Sequence, residues 1–404
     1  MMGEANLCHA CRQRTVVNSI DCGLQPICNR FLVAPSEPEA TFPLGLGQCD
    51  ACGLIQISRP APVEEIRPRY DWIGYHEPEG HLDALVGELA SLPGITRASS
   101  VGAVVFGGDT TIIRFQQLGF RRTWRLDLQR DLGISDRNAG TETIQDRLRP
   151  EAAGEIVRRH GPFDLLVVRH MVEHAHDLRR LLATIRSMVK TGGHVVFEVP
   201  DCEPPFTTCD YSIIWEEHVC YFMSATFRYC LEAMGFEVLA VQRPPDSLIA
   251  LTRVLAAAGG KVLSGEIVAK EKARMKFFAD SLPVRQKIIG AFLAETRART
   301  GRVAFFGASH LSCIYINLLQ LGNYLHCVVD DHPKKRGKFM PGSRLPIVGS
   351  SALTERGIKV CLSPLRPETE AAVARNNPQF IANHGKFVSI FAGRPNSLPI
   401  QPCA

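Results

Sequence analysis

Apolar positions alternate between two rhythms through the middle of the chain. His81 to Leu92 carries apolar residues at helical spacing. Ser100 to Phe106 is a continuous apolar run of strand length, and Gly107-Gly108-Asp109-Thr110-Thr111 follows it. Ile112 to Leu118 fits a helix, Trp124 to Leu128 a second strand carrying Asp127, and Phe163 to Val168 a third strand, followed by Arg169-His170-Met171-Val172-Glu173-His174. A helix over Leu178 to Val189 ends at Lys190-Thr191-Gly192-Gly193. A strand over His194 to Val199 and a helix over Phe227 to Met234, stopped by Gly235, complete the series. Strands alternating with helices predict a parallel sheet wrapped by helices, so the fold class is α/β.

The flanking segments read differently. Residues 1 to about 75 are rich in Cys, Pro and Gly and lack long-range periodicity. Residues 255 to 299 read as charged helix interrupted at Pro283. A second α/β unit then begins: a strand over Arg302 to Phe306, a Gly307-Ala308-Ser309-His310 turn, a helix from Leu311 to Leu321, and a strand from Leu325 to Val329 ending in Asp330-Asp331. The expected division is an N-terminal module over 1–75, an α/β core over 76–243 and a C-terminal α/β domain over 244–404.

Composition narrows the picture. A chain of 404 residues is too long for one ordinary core. Its 45% hydrophobic and 22% charged content is that of a globular protein. A net charge of +5, with basic residues scattered, argues against nucleic acid as a partner and leaves room for an anionic small molecule. No stretch is apolar enough to span a bilayer and Met1-Met2-Gly3-Glu4 opens no signal peptide, so no membrane partner and a cytoplasmic location are expected. Most of the fourteen cysteines are isolated and read as small buried hydrophobes.

Four cysteines form a pattern. Cys8-x2-Cys11 and Cys49-x2-Cys52 are two hooks of a zinc ribbon, each supplying two thiolates to a closed structural site, with Cys22 and Cys28 as competing ligands. A second candidate is the run Ile214-Trp215-Glu216-Glu217-His218-Val219-Cys220-Tyr221-Phe222. Taken alone, Glu-Glu-His reads as a solvated strand edge. It follows a strand ending in Glu198-Val199-Pro200-Asp201, however, and ligands of open α/β sheets bind beyond the carboxyl ends of strands. A histidine there, beside a carboxylate and between aromatic residues, suits proton transfer near neutral pH.

These motifs, in this order, resemble the bacterial C-methyltransferases of nucleotide-linked 4-keto-deoxyhexoses. The N-terminal segment resembles their zinc module at the two cysteine hooks, at Gly23-Leu24-Gln25-Pro26-x2-Asn29-x-Phe31-Leu32, and at Gly53-Leu54-Ile55-Gln56. The core resembles their Rossmann-like methyltransferase domain at His170-x2-Glu173-His174, Glu198-Val199-Pro200 and Glu217-His218-x2-Tyr221-Phe222. The last part resembles their second Rossmann-like domain at Phe306-Gly307-Ala308 and Asp330-x2-Pro333-x-Lys335-x-Gly337-x3-Pro341-Gly342. The resemblance implies methyl transfer from S-adenosylmethionine to a carbon beside a keto group, through an enolate. His218 would be the base, Glu217 would orient it or bind a sugar hydroxyl, and His174 would line the reacting centre. Gly107, Gly108, Asp109, Asp127 and His170 would meet the cofactor. Trp72, Trp215, Tyr221, Gly307, Ala308 and Asp330 would meet the nucleotide-sugar, Gly307 and Ala308 also reading as a plain structural turn.

The chain departs from that family at several points. An acid and then Gly-x-Gly-x-Gly are usual after the first strand, but Val104 and Phe106 stand where the acid and the first glycine fall. Phe106 is expected to fill space that glycine leaves to a cofactor. Trp72 and Trp215 replace tyrosines, and indole only donates where phenol also accepts. Tyr70, Tyr75 and Tyr221 are the candidates to compensate. A glycine-rich turn is absent at Pro244-Pro245-Asp246-Ser247-Leu248. Three functions are therefore open at this point: a divergent sugar C-methyltransferase, an epimerase or isomerase of the same descent using His218 without methyl transfer, and a non-catalytic sugar-nucleotide binding protein.

Overall fold

A computed structural model describes residues 7–13, 16–70, 72–73, 77–136, 139–257, 259, 262–394 and 396–400. Tyr75 lies outside the described residues. Along the chain the strands are β1 Val16–Pro26, β2 Thr41–Cys49, β3 Ile55–Ile57, β4 Ser100–Val104, β5 Arg122–Arg125, β6 Phe163–Arg169, β7 Val189–Pro200 and β8 Cys220–Tyr221. They continue with β9 Phe236–Gln242, β10 Ser247–Val254, β11 Arg302–Phe306, β12 Cys327–Val329, β13 Ile347–Val348, β14 Ile358–Ser363 and β15 Lys386–Ser389. They form sheets ordered β1-β2-β3-β8, β5-β4-β6-β7-β10-β9 and β13-β12-β11-β14-β15.

Two compact units result. The first comprises Met1–Ser19, Leu46–Glu203 and Glu217–Lys272, and the second Ile20–Gly45, Pro204–Glu216 and Ala273–Ala404. They do not follow three consecutive segments. The chain does not leave the core sheet at 243, because β10 pairs antiparallel with both β7 and β9 and extends it. The missing glycine turn before β10 is met by Asp246, which takes a φ of 67°, a left-handed conformation that short polar side chains tolerate.

The six-stranded sheet of the first unit shows why its strands read as unbroken apolar runs. Leu166 and Val168 enter one hydrophobic cluster, with helices Pro150–His160, Leu178–Ser187 and Ser224–Ala233, while Leu165 and Val167 enter another, with helices Leu82–Ala90 and Thr111–Gln117. Both faces are covered, as in α/β sheets generally. From β4 the chain moves outward to β5 and then returns to the other side of β4 as β6. This reversal leaves a crevice beyond the carboxyl ends of β4 and β6, where such folds hold ligands.

Three elements depart from the sequence pattern. The strand expected over 124–128 is Arg122–Arg125, and Asp127 instead caps helix Leu128–Leu132 by accepting from the Arg130 amide. The strand expected from His194 begins at Val189, which pairs with Phe163, so Gly192-Gly193 lie within β7 at a register shift rather than at a helix end. Pro283 does not interrupt its helix, which runs unbroken from Gly265 to Thr300. In the second unit β11 to β15 make a parallel sheet whose strand order reverses at β11, with the Gly307 turn at its carboxyl end. No helix among the described residues is long and apolar enough to cross a membrane.

Candidate functional site

The cysteine hooks close on one another. The sulfurs of Cys8 and Cys52 lie 3.5 Å apart, as do those of Cys11 and Cys49, and all four fall within 4.8 Å. Four thiolates about 2.3 Å from a tetrahedral zinc would stand about 3.8 Å apart, so the set fits that ion. Each hook turns through a left-handed residue just after its second cysteine, Arg12 in one and Gly53 in the other. Hydrogen bonding with Cys11 first, then Cys49, holds Cys8 and Cys52 well above the ordinary thiol range, while Cys11 is lowered to about 7. Cys22 and Cys28 are not ligands here. Both belong to the second unit, where the Cys28 amide and thiol donate to the Glu216 carboxylate at 2.6 and 3.1 Å.

The hooks also support the histidine segment. β3 follows Cys52 and pairs with β8 through Ile55–Tyr221 and Gln56–Cys220, and the Ile57 amide donates to the Val219 carbonyl. From the other side the Cys220 amide donates to the Glu173 carbonyl at 2.9 Å. Glu217 and His218 are thus held between the cysteine module and the loop after β6. Glu217 is 1% exposed, which excludes the solvated strand edge. The rings of His218 and His174 meet edge to face, centroids 4.8 Å apart. His174 Nδ1 stands 2.6 Å from an oxygen of Glu142, brought in by helix Thr141–Arg147. Burial alone would lower the His174 pKa, but the charge and hydrogen bond of Glu142 raise it. Tyr221 is fully buried, its ring 6.4 Å from that of His218.

A second group of charges joins this cluster to the glycine loop. Arg169, at the end of β6, is buried and pairs with Asp109 and with Glu198 at 2.6 Å, while its remaining nitrogen donates to the Pro78 carbonyl. Glu198, at the end of β7, accepts from Ser247 Oγ at 3.0 Å and has His81 at 3.1 Å and His170 at 3.5 Å. Burial would raise its pKa, but bonds with His170, His81 and Arg169 hold it well below the carboxylate range. His170, with a φ of 51°, also lies 3.3 Å from Glu173, and Glu173 reaches on to His174. Burial would lower His170, yet Glu173, Glu198 and Glu77 push it up to about 10.

Of the residues expected to meet a cofactor, Asp109 and His170 are committed to this buried network, Asp109 also accepting from the Thr111 amide. Gly107 and Gly108 are exposed with open space where a Cβ would stand, and Gly108 has a φ of 94°. Phe106 is half-buried against the core cluster that includes Val104, Trp124 and Leu126. Asp127 is exposed beyond β5. The two glycines and Asp127 therefore fit a nucleoside cofactor at the crevice. Trp72 is half-buried and stacks on Tyr70, centroids 5.0 Å apart.

In the second unit Trp215 stacks on His310, centroids 4.1 Å apart and planes within 15°. Gly307, Ala308 and Asp330 come together, but largely as partners of one another and of their neighbours. The Ala308 amide donates to Asp330 at 2.9 Å, the Gly307 amide to Val329, and Lys335 Nζ to both Ala308 O and Asp330. These bonds close the turn and favour its structural reading. Sequence reasoning assigned no role to Glu142, Arg169, Glu173 or Glu198. Charged residues at the ends of otherwise apolar strands were the available signal for Arg169 and Glu198. Glu142 sits on a seven-residue helix with no pattern of its own.

Comparison with known proteins matches three consecutive segments of the chain. Residues 8–66 match a family described as "Putative zinc binding domain", residues 107–241 one described as "Methyltransferase domain", and residues 265–391 one described as "C-methyltransferase C-terminal domain". The C-methyltransferase NovU of Streptomyces niveus is 24% identical over 399 residues, covering 94% of each chain. Among solved structures, a Burkholderia thailandensis 1,6-didemethyltoxoflavin N1-methyltransferase overlaps 44% of this chain and 77% of its own, at 14% identity and a TM-score of 0.30. The glycopeptide N-methyltransferase MtfA overlaps 43% and 93%, at 14% identity and a TM-score of 0.28. Three domain matches in this order, with a C-methyltransferase aligned nearly end to end, show a methyltransferase whose three parts are similar to those of the C-methyltransferases.

Proposed function

We propose that this methyltransferase moves a methyl group from S-adenosylmethionine to the carbon beside the keto group of a nucleotide-linked deoxysugar. The observation that carries the proposal is His218 against His174, beside buried Glu217, at the crevice of the core sheet. When bound, S-adenosylmethionine supplies an electrophilic methyl group. Gly107, Gly108 and Asp127 are the residues proposed to hold it, the glycines by close backbone approach and Asp127 through ribose hydroxyls.

His218 takes the proton from the sugar carbon, and the bonding pair moves onto the keto oxygen as an enolate. Glu217 orients the imidazole and favours its protonated form after the transfer. His174, held by Glu142 at 2.6 Å, lines the reacting centre. The enolate carbon would then form the new bond to the methyl group as the methyl–sulfonium bond breaks, with S-adenosylhomocysteine as the leaving group. Trp72 and Tyr221 are proposed to shape the pocket by bulk rather than by proton transfer.

Proton abstraction precedes methyl transfer, so it can be read alone. A nucleotide-linked 4-keto-deoxyhexose incubated with the protein in D2O is expected to take up deuterium at the carbon beside the keto group, and His218→Ala is expected to abolish this with the fold intact. Normal uptake in that variant would sink the base assignment. Uptake with no methyl transfer at saturating S-adenosylmethionine would favour an epimerase or isomerase, a reading that commitment of Asp109 to Arg169 supports.

A further inference from the structure

Around His174 three segments bring three carboxylates out of water. Glu142 comes from helix Thr141–Arg147, Glu173 from the loop after β6, and Glu217 from the segment before β8, and none is more than 2% exposed. One oxygen each of Glu142 and Glu217 and a nitrogen of His174 lie within 4.8 Å of one another. Glu173, His174 and His218 form a second such triangle. Buried carboxylates in this number require compensating positive charge, because an uncompensated ion is costly away from water. The ion-pair partners recorded for Glu142 and Glu173 are imidazoles.

A second, independent observation points to a ligand. The other oxygens of Glu142 and Glu173 have no hydrogen-bond partner among the described residues, and neither does either amide atom of Gln145. Gln145 is 1% exposed and lies three residues after Glu142, on the same face of the same helix. Buried polar atoms are normally paired. Four orphans in this neighbourhood mark a polar space that the protein does not fill by itself.

We propose that a divalent metal ion, distinct from the zinc of the four cysteines, is held here by Glu142, His174 and Glu217. One imidazole nitrogen with carboxylate oxygens suits Mn2+, Fe2+ or Zn2+, whereas four thiolates select zinc. Three protein ligands leave coordination positions open to a substrate oxygen. His218 is outside this ligand set and stays available to take a proton. Building on the enolate reading above, the ion binds the keto oxygen. As the C–H pair moves to that oxygen the cation holds the new negative charge, and the proton rests on His218.

The test uses the full-length, zinc-loaded protein and Mn2+ alone, followed by the electron paramagnetic resonance signal of free Mn2+. The thiolate site keeps its zinc against this harder ion. One Mn2+ per chain is expected to bind, with affinity falling at least tenfold in Glu142→Gln and in His174→Asn, while Glu237→Gln on β9 leaves it unchanged. Absence of binding to the wild-type protein up to millimolar Mn2+ overturns the site, and so does wild-type affinity in either folded variant. Metal uptake is read without substrate. Methyl transfer by a protein that binds no Mn2+ would remove this site and leave the proposed function standing, whereas Mn2+ binding without methyl transfer would do the reverse.

Discussion

Replacing Arg169 with Met tests the network that ties the glycine loop to the core. Arg169 is buried together with both of its acidic partners. Removing one member of a buried ion group costs about 3–5 kcal/mol, because the remaining charges stay buried without compensation. Glu198 keeps Ser247, His81 and His170, so most of the loss falls on Asp109 and the glycine loop. For a body of this size each kcal/mol lowers the melting temperature by about 2–4 °C, so a fall of roughly 6–20 °C is expected. Neutralising the stranded acid should recover part of it: Arg169→Met with Asp109→Asn is expected to be more stable than the sum of the two single losses by about 1–2 kcal/mol. Guanidinium melts followed by tryptophan fluorescence would measure this, with S-adenosylmethionine titrated into each variant. A single mutant within 1 kcal/mol of the wild type, or strictly additive losses, would refute the reasoning.

Two further perturbations follow from the geometry. Cys52→Ser is expected to lose a bound zinc that the wild type holds at about one per chain, and to lower activity because β3 supports β8 beside His218. Elemental analysis showing full zinc in the variant, or none in the folded wild type, would contradict this. His170 has a folded pKa of about 10 against 6.5. Its charge therefore stabilises the fold fully below pH 6.5, by at most about 4–5 kcal/mol, and this is lost as pH rises through 10. The stability gap between wild type and His170→Gln should be widest near pH 6 and close by pH 10 in denaturant melts. A constant or widening gap would be inconsistent with a protonated His170.

The core strands were readable because both faces of the sheet are covered, so Leu165 to Val168 and Ser100 to Val104 are apolar without alternation. β10 was harder to place because antiparallel pairing with β7 follows an ordinary-looking Pro244-Pro245 break. Nothing local marks Gly192-Gly193 as lying inside a strand, or Pro283 inside a helix. At the site, Glu217, His218 and His174 announced themselves as adjacent acid and base residues. Glu142 reaches His174 from 32 positions upstream, and only the folded chain shows that contact. Glycine spacing suggested a damaged cofactor loop; in the fold Phe106 is half-buried against the core, and Gly107 and Gly108 are exposed. The destination of Trp215, stacked on His310, was likewise set by tertiary packing rather than by its neighbours in sequence.

The most direct test of the central claim is transfer of a 13C-labelled methyl group from S-adenosylmethionine to a nucleotide-linked 4-keto-deoxyhexose, read by carbon NMR of the product. The expected result is a labelled methyl group bonded to the carbon beside the keto group, absent with His218→Ala. Folded, zinc-loaded protein that exchanges that carbon's proton but never acquires the label would contradict it.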